Sequence, residues 1–571
     1  MSPIPLILVV GGDALAVRVC EELCATQGHR VALIWMQDHD LSAKLERLGC
    51  DYFSYDPNDY DALRIACVGE AASIMTLADD DRLNLQVALK ARDINPSIRL
   101  VLRQFNRTLG AKLEQNLPNC SVISPASHSA ATFAATALDP ACFYALQFPD
   151  RGGVHAGFTQ RRAGQLGVAG MSVRDAQQKL RARIVARNGS PDVSADDAFE
   201  EADTLVVFAL VEHLEATSGT RQYVRVERRK RPLTRMRVAF VKRMQRLQNL
   251  DPIVLRVAAV TLTIFMIATA YFTIALQRDP FTAAYFVITT ATTTGYGDIT
   301  PVGHGWPTML FAMIVMVTGV AASGIFIAFV TSALTRAQFI AMQGLRQIRT
   351  RGHVLICGSG NVGTRVIDTL GALGERVVVI DRSPDPALVE WSRTRRIELL
   401  TGDATDDRAL DLCNIANARA VVALTDSDTA NLEVALGARA RNPLIPVVMR
   451  VQDDVFAGSI ARQFEAIRTY STTALAAPAF AMLSRFPGTR GRIAFGDDTY
   501  NVGERQQGEI PQPPPADHCI PLGVWRGGAF CHIDAFDEME PYDRLLFIVP
   551  LSQFKTPHGA PHESSGEPVG I

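Results

Sequence analysis

Two kinds of apolar run divide this chain. Short apolar runs recur towards both ends, each followed by a polar turn and an amphipathic stretch. This alternation predicts strands and helices of a parallel α/β sheet. In the middle, residues 257–276 and 307–335 form runs of 20 and 29 residues without a charge. About 20 apolar residues span a bilayer as a helix, so two membrane helices are predicted. A buried core helix is the alternative, but such helices rarely run so long without a charge.

The segment between the two long runs predicts a half-helix followed by a turn of unusual backbone. Asp279 and Pro280 suit the N-cap and the first helical position, so a helix is expected over 281–291. Its C-terminal end carries partial negative charge, which favours a nearby cation. Residues 290–298 then read TATTTGYGD.

The string TTTGYGD suits a dehydrated K⁺ ion. Backbone carbonyls that converge from several chains on one axis can replace the water shell of the ion. The glycines permit the positive φ values that turn successive carbonyls to one side. The carbonyls before Gly297 are the predicted ligands, with the Thr293 hydroxyl at the inner mouth. We therefore predict a selectivity filter made of Thr293, Thr294, Gly295, Tyr296, Gly297 and Asp298.

Charge on the flanks predicts the orientation. Residues 225–246 hold ten Lys and Arg against one acid, and residues 336–351 hold four Arg and no acid. In the segment between the long runs, Arg278 is the only lysine or arginine. Positive flanks stay in the cytoplasm. Both chain ends are therefore expected on the cytoplasmic side of the cell (inner) membrane, and the filter is expected to face outward. The basic run could bind nucleic acid, but its place beside a membrane helix favours lipid headgroups, and no nucleic-acid partner is predicted.

Residues 250–336 resemble the two-helix potassium channels on the order of these features: apolar helix, half-helix, TTGYG, apolar helix. The resemblance implies a pore built from four chains. Most members have Val where this chain has Thr294, which leaves strict K⁺ over Na⁺ selectivity open. Gly319 and Gly324 in the second long run are candidate gating hinges, with close helix packing through small residues as an equal alternative.

After the second long run, the chain carries a nucleotide-binding pattern. The sequence HVLICGSGNVG, residues 353–363, places an apolar strand before GxGxxG and an amphipathic stretch. A second strand ends in Asp381. Such glycines let backbone approach a phosphate at a helix N-terminus, and the acid can hold ribose hydroxyls. NAD(H) is favoured, ADP or ATP would also fit, and Arg382 could take a phosphate instead.

Residues 350–485 resemble the domains that regulate the conductance of potassium (RCK domains, of TrkA-N type), and 490–550 resemble the smaller C-terminal lobe of that family. The resemblance rests on the glycine turn and on GDAT at 402–405, LTD at 424–426 and the strand ending in Arg450. The residues predicted to bind the nucleotide are Gly358, Ser359, Gly360, Asn361, Val362, Gly363, Asp381, Arg382, Asp403, Ala404, Thr425 and Arg450.

The N-terminal part repeats this pattern at a constant offset of 347 residues. The matched positions are Gly11 with Gly358, Asp56 with Asp403, Asp79 with Asp426, Asn84 with Asn431 and Arg103 with Arg450. A constant offset over so long a stretch indicates an internal repeat.

The two copies differ in chemistry. The first has GGDALA for GSGNVG, and the offset places Ile34 opposite Asp381. A carboxylate at Asp13 would repel phosphate, so the first copy is expected to be structural or to bind another ligand. Its run Asp79, Asp80 and Asp81 could ligate Ca²⁺ or another divalent cation, although a solvated loop is the simpler interpretation. No resident metal site is predicted, and the acidic patch Asp534, Asp537, Glu538 and Glu540 has the same simple interpretation.

The predicted fold is therefore multidomain: an α-helical two-helix pore flanked by two Rossmann-like α/β units, each with a small α+β lobe. The predicted boundaries are 1–135 and 141–215 for the first unit, 216–251 for a basic linker, 252–336 for the pore, 337–351 for a second linker, 352–487 and 488–552 for the second unit, and 553–571 for a disordered tail.

The predicted function is a ligand-gated potassium channel, a homotetramer with eight RCK units, and not an enzyme. Alternatives are a less selective monovalent cation channel, a non-conducting scaffold and a membrane-tethered NAD-dependent oxidoreductase. No catalytic constellation supports the oxidoreductase. The ten cysteines show no CxxC pair, which argues against a zinc site or a disulfide framework.

Overall fold

A computed structural model describes residues 4–213, 252–342 and 347–554, apart from 27, 37, 149–152, 395–396, 465, 507–518, 533–538 and 541. Four predicted features lie outside these ranges: the basic flank at 225–246, the whole linker at 216–251, the tail from 555, and three acids of the patch at 534–540. The chain forms two bodies: an α/β body from both ends of the chain and a helical body from its middle.

The helical body contains three helices, α9 Pro252–Ala275, α10 Pro280–Ala291 and α11 Trp306–Met342. They share a small core around Phe272, Phe286 and Val315. Among the described helices, α11 is long and apolar enough over Trp306–Thr331 to cross a membrane, whereas the apolar part of α9 is the shorter Ala259–Ala275. The second predicted span therefore stays a prediction. Helix α11 also continues past residue 335, so the predicted second linker begins as helix.

The first α/β domain is a parallel sheet with the order β3-β2-β1-β4-β5-β6. Its four central strands are mostly buried, as expected when helices cover both faces of a sheet, whereas the two edge strands are only partly buried. They are β1 Leu6–Val10, β2 Arg30–Trp35, β3 Asp51–Ser54, β4 Ala71–Thr76, β5 Arg99–Arg103 and β6 Cys120–Ile123. The helices between them are α1 Ala14–Cys24, α2 His39–Arg47, α3 Tyr60–Ile65, α4 Asp81–Ile94 and α5 Arg107–Asn116.

The second α/β domain has the same strand order, β13-β12-β11-β14-β15-β16. Its strands are β11 Val354–Cys357, β12 Val377–Asp381, β13 Ile397–Thr401, β14 Ala420–Ala423, β15 Val447–Arg450 and β16 Ile467–Tyr470. Its helices are α12 Asn361–Ala372, α13 Pro386–Thr394, α14 Asp407–Leu412, α15 Asp428–Arg441 and α16 Asp454–Gln463. Two Rossmann-like sheets before and after a helical segment confirm the predicted fold class.

Each α/β domain is followed by a small lobe with an antiparallel sheet. The first small lobe contains β7 Cys142–Phe148, β8 Val154–Arg162, α7 Ala163–Leu166, α8 Val173–Leu180, β9 Arg183–Arg187 and β10 Thr204–Leu210. The second contains β17 Thr489–Phe495, β18 Asp498–Gln506, β19 Ile520–Arg526, β20 Ala529–Cys531 and β21 Arg544–Pro550. In its described residues the second lobe has strands and a single 3₁₀ turn, Leu551–Phe554, rather than the predicted mixture with α-helix.

The helices that lead into the small lobes are exchanged between the two units. Helix α6, Pro125–Leu138, belongs to the first unit but packs on α12 of the second, and α17, Thr472–Leu483, packs on α1 of the first. One apolar core joins α6 and the first small lobe to the second α/β domain. Another joins α17 to the first α/β domain, and a third joins the two small lobes. The two units are thus packed as an intimate pair.

Candidate functional site

The predicted filter follows directly from the C-terminus of α10. Asp279 caps the N-terminus of this helix, as predicted, by accepting hydrogen bonds from the amides of Phe281 and Thr282. Helix α10 ends at Ala291, and the next residues turn back on it: the amides of Thr294 and Gly295 both donate to the carbonyl of Thr289, at 2.9 and 3.1 Å. The start of the filter is therefore anchored to the helix that precedes it.

Three residues of the filter have left-handed backbone. The φ values are +47° at Gly295 and +77° at Gly297, where glycine allows them, and +61° at Thr293. A threonine in this region is uncommon because its branched side chain is crowded there. Such conformations persist only where the surroundings enforce them, and they concentrate at functional sites.

The side chains of the filter point back towards α10. The Thr294 hydroxyl lies 3.0 Å from that of Thr292, at the end of the helix. The Tyr296 ring stacks on Tyr285 of α10, with 6.5 Å between the centroids and 2° between the planes. Asp298 forms a side-chain hydrogen bond with the Tyr285 hydroxyl. Thr294 thus makes a polar contact behind the filter that Val could not make.

The two candidate hinge glycines lie in different surroundings. A Cβ atom on Gly319 would lie 2.3 Å from the carbonyl oxygen of Ala291 and 2.7 Å from its Cβ. Gly319 therefore lets α11 approach the end of α10 at the base of the filter. A Cβ on Gly324 would have no neighbour within 4 Å. The packing interpretation accordingly fits Gly319, and a hinge remains a proposal for Gly324 alone.

In the glycine turn of the second α/β domain, close contacts require glycine at two of the three positions. Gly358 has φ +97°, and a Cβ there would lie 2.9 Å from the amide nitrogen of Thr425. A Cβ on Gly363 would lie 2.1 Å from the carbonyl oxygen of Gly358, which would push α12 off the strand. Gly360 is the N-cap of α12, has no side chain to cap it, and has open space before it. The helix therefore presents its first amides to an open space, which suits a phosphate.

Asp381 is held against this turn. One carboxylate oxygen accepts the amide of Ser359 at 2.5 Å and its hydroxyl at 2.7 Å, and the other accepts the amide of Ser383 at 2.8 Å. Because a carboxylate accepts about four hydrogen bonds, one acceptor direction is left for a ribose hydroxyl. The cleft beside it, the glycine-turn cleft, measures about 390 Å³. Seven predicted residues line it: Gly358, Gly360, Asp381, Arg382, Asp403, Ala404 and Thr425.

The other five predicted residues lie around the cleft without lining it. They are Ser359, Asn361, Val362, Gly363 and Arg450. Val362 is buried in the core shared with α6. Arg450 forms an ion pair of 3.0 Å with Asp426, a lining residue at the rim. The side chains of Val362 and Arg450 thus support the cleft, whereas the backbone amides of Asn361, Val362 and Gly363 are the first amides of α12 and face the open space before it.

The rim of the cleft carries a second ion pair, and a buried side-chain amide behind the cleft, that of Asn431, was not among the predicted site residues. Arg382 pairs with Asp403 at 2.6 Å. Partial burial raises the pKa of Asp403, but hydrogen bonds from Thr405 and the Arg382 pair outweigh it, so the net pKa lies below its ordinary value. Asn431 accepts the amide of Thr425 at 2.9 Å and donates to two carbonyls at 3.0 Å. The constant offset that relates Asn431 to Asn84 could have identified this residue from the sequence.

The corresponding site of the first α/β domain is filled by its own side chains. Strand β1 pairs Val10 with Ile34, whereas β11 pairs Cys357 with Ile380. The residue in the place of Asp381 is therefore Trp35, and the assignment of Ile34 from the constant offset was wrong. The connection between the two paired strands is one residue longer in the first domain than in the second, which the offset does not take into account.

Trp35 lies against the glycine turn. A Cβ on Gly12, the counterpart of Ser359, would lie 2.2 Å from the indole nitrogen of Trp35. Asp13 takes the place of Gly360 and caps α1 by accepting the amide of Ala16 at 3.1 Å. The buried guanidinium of Arg103 pairs with both Asp13 and Asp79. An indole and an ion-pair bridge thus occupy the positions of the ribose acid and of the phosphate.

The three consecutive aspartates of the first domain do not converge. Asp79 pairs with Arg103, Asp80 caps α4, and Asp81 accepts the amides of Phe105 and Asn106. Within the described ranges, there is no group of three or more His, Cys, Asp or Glu residues placed to hold a metal ion. The simple interpretation of the run, an ordinary loop and helix start, fits these contacts.

Comparison with known proteins agrees with this architecture. The model of the TrkA-N domain matches residues 7–125 and 354–470, and the model of an ion channel matches 259–336. The voltage-gated potassium channel Kch of Escherichia coli is 28% identical over 176 residues, 30% of this chain and 42% of that protein. Potassium channel protein 1 of Methanocaldococcus jannaschii is 29% identical over 181 residues, 30% of this chain and 53% of that protein.

Among solved structures, the GsuK channel bound to NAD has a TM-score of 0.50 at 14% identity, over 97% of this chain and 78% of that chain, and so shows a shared fold. The chain spans about half or less of the curated relatives described above. The TrkA-N matches coincide with the two six-stranded sheets, and the ion channel match covers α10, the filter and most of α11. This chain therefore contains two TrkA-N domains, one before an ion channel domain and one after it.

Proposed function

We propose that this protein is a potassium channel whose pore is gated by a nucleotide bound to the second TrkA-N domain. The observation that carries the conducting role is the turn after α10. Its left-handed residues alternate with others along Thr293–Gly297, and the turn is anchored to a short helix whose negative end faces the same place. In a single chain all of these residues are exposed, as expected of a wall completed by other copies.

A homotetramer with eight RCK units follows from that geometry. Four chains close a carbonyl filter around one axis. The exposed surface of the α/β domains supports assembly as well: Leu89 on α4 and Leu436 on α15 stand at the same position of the repeat and are 43% and 42% exposed. Large apolar side chains at matching positions of both copies favour contacts between units. Mass photometry of the purified protein should give four chains.

The membrane placement is part of the same proposal. Helix α9 and helix α11 cross the cell membrane, and both α/β units lie in the cytoplasm. The apolar surface of α11 and the charge of the flanking sequence support this. Single cysteines can be introduced by Val302→Cys, between α10 and α11, and by Leu89→Cys. A membrane-impermeant thiol reagent should label the cysteine at 302 from outside, and the cysteine at 89 only after the membrane is opened.

The gating ligand is an adenine nucleotide or NAD(H) with an unphosphorylated ribose. Asp381 supports this choice because it would repel a 2′-phosphate, and Arg382 has its charge already paired with Asp403. A ligand can shift closed and open states only by binding one of them more tightly. Its sites are expected in the second unit alone, because Trp35 and Arg103 fill the first.

Flux measurements test the channel and the ligand separately. The full chain would be reconstituted in vesicles, and K⁺ and Na⁺ flux measured with NAD⁺, NADH, ADP and ATP. Asp381→Ala should abolish the nucleotide effect and keep the flux. Glu433→Ala, which removes an exposed acid of α15 away from the cleft, should keep both.

Each failure has a distinct meaning. Equal K⁺ and Na⁺ flux would favour the less selective channel, and absence of flux in every condition would refute conduction. Nucleotide turnover with hydride transfer would favour the oxidoreductase.

A further inference from the structure

A second cleft lies between the first small lobe and the second α/β domain. We call it the arginine cleft and define it by Phe143, Gln160, Arg161, Arg162, Arg468 and Tyr470. Its volume is about 770 Å³. The residues come from the start of β7 and the end of β8 on one side and from β16 on the other. Because α6 is exchanged between the units, this cleft joins parts of the chain that are about 300 residues apart in sequence.

The arginine cleft is strongly positive. Three of its lining residues are arginines, and none of the described residues that line it is a carboxylate. Asp139, which precedes the lining residue Pro140, is buried and pairs with Arg161. Arg162 and Arg468 are exposed at the two walls, and neither forms an ion pair within the described part of the chain. Two guanidinium groups therefore remain for an anion from solution, and arginine is the side chain best suited to phosphate.

The floor of the cleft is rigid and already formed. The Tyr470 hydroxyl lies 3.1 Å from that of Thr136 and donates to the carbonyl of Cys142 at 3.3 Å. Its ring packs edge-on against Phe133, with 5.7 Å between the centroids. Burial raises the pKa of Tyr470 to about 12, so the hydroxyl stays neutral at physiological pH. The half-buried ring of Phe143 adds an apolar wall.

The internal repeat provides a comparison within the same molecule. Strands β5 and β6 pair in the same register as β15 and β16, which places Ser121 where the second domain has Arg468, and Ile123 where it has Tyr470. The first domain thus forms the corresponding strand pair without a charged side chain at either position. The positive cleft is thus a property of one side of the pair and not a requirement of the fold.

We propose that the arginine cleft binds a small phosphate-bearing anion, separately from the glycine-turn cleft. Arg162 and Arg468 hold the phosphate from opposite walls, and the polar side chains of Gln160 and Tyr470 lie beside it. The ligand bridges the first small lobe and the second α/β domain. A bound anion therefore stiffens the contact between the first small lobe and the second α/β domain, a contact that the exchange of α6 creates.

The test is binding of inorganic pyrophosphate to the full chain in lipid nanodiscs, measured by titration calorimetry. Saturable binding is expected. The double variant Arg162→Gln and Arg468→Gln should weaken it at least about tenfold, because two charge-assisted contacts are lost. The matched control is Arg174→Gln with Arg408→Gln, which removes one exposed arginine from the same lobe and one from the same domain, both outside the cleft. It should bind within about twofold of the parent, since only distant, screened charge is lost.

The double variant Arg162→Lys and Arg468→Lys guards against misfolding. It keeps the charge and should retain most of the affinity, though less than the forked arginines give. Nanodiscs of phosphatidylcholine and of phosphatidylglycerol distinguish the source of the phosphate. Unchanged affinity identifies a soluble ligand, and loss in phosphatidylglycerol identifies a lipid headgroup in the cleft. The proposal is overturned if the parent shows no saturable binding below about 10 mM, or if the control pair weakens binding as much as the cleft pair.

Discussion

Replacing Gly363 by alanine should weaken nucleotide binding in the glycine-turn cleft, although Gly363 does not itself line that cleft. Its Cβ would lie 2.1 Å from the carbonyl oxygen of Gly358, where carbon and oxygen normally stay about 3.3 Å apart. Neither atom can rotate away, because one is backbone and the other is fixed on a helix. Helix α12 must therefore retreat by roughly 1 Å.

The magnitude follows from what α12 holds. Forcing a methyl group into closed packing costs about 1–3 kcal/mol of stability. A retreat of α12 also weakens the contact between its first amides and a phosphate, and a hydrogen bond to a charged group contributes about 1.5–3 kcal/mol. Since about 1.4 kcal/mol is tenfold in affinity, NADH or ADP should bind at least about tenfold more weakly.

The matched control is Gly371→Ala on the same helix. A Cβ there would meet nothing within 4 Å, so the same chemical change should stabilise the helix by about 0.5–1 kcal/mol and leave nucleotide binding unchanged. Titration calorimetry gives the affinities, and a thermal melt of the full chain gives the stability. Parental affinity in Gly363→Ala, or an equal loss in Gly371→Ala, would refute the packing argument. If the parent binds no nucleotide, the melts still test the packing.

Three further outcomes are expected. Gly12→Ala should lower the melting temperature because its Cβ would collide with Trp35, and adding Trp35→Ala should recover part of the loss; additive losses would contradict this. Gly319→Ala should impair assembly or K⁺ flux through a clash with α10, whereas Gly324→Ala should fold normally; equal behaviour would contradict the packing distinction. Thr294→Val removes a hydroxyl contact but keeps the backbone hydrogen bond to α10, so the K⁺ over Na⁺ permeability ratio should not fall; a fall would mean that the hydroxyl supports selectivity.

Several features could be predicted from the order of residues because they are local. The cap at Asp279, the start of α10 and the positive φ values at Gly295 and Gly297 follow from short-range backbone preferences. The glycine turn followed by Asp381 is likewise a pattern of neighbours along the chain, and the cleft forms beside it. Local patterns predict local structure well because the same few residues both encode it and form it.

Contacts between distant segments could not be predicted in this way. Asn431 and its counterpart Asn84 each donate to one loop carbonyl and to the carbonyl of the last residue of a strand, a role that depends on where two strands end relative to a helix. The arginine cleft depends on the exchange of α6, which brings Arg162 and Arg468 to one opening. The sequence does not show which distant residues come into contact unless a repeat or a motif marks both of them.

The sequence alone determined the order of the domains, the filter string and the internal repeat, because each is a linear pattern. Only the tertiary structure decided which residues face each other. The constant offset assigned Ile34 to the place of Asp381, whereas strand register gives that place to Trp35. An offset counts residues along the chain, but the neighbour of a glycine turn is fixed by hydrogen bonds across the sheet. One residue of slippage exchanges a buried isoleucine for an indole that closes the first cleft.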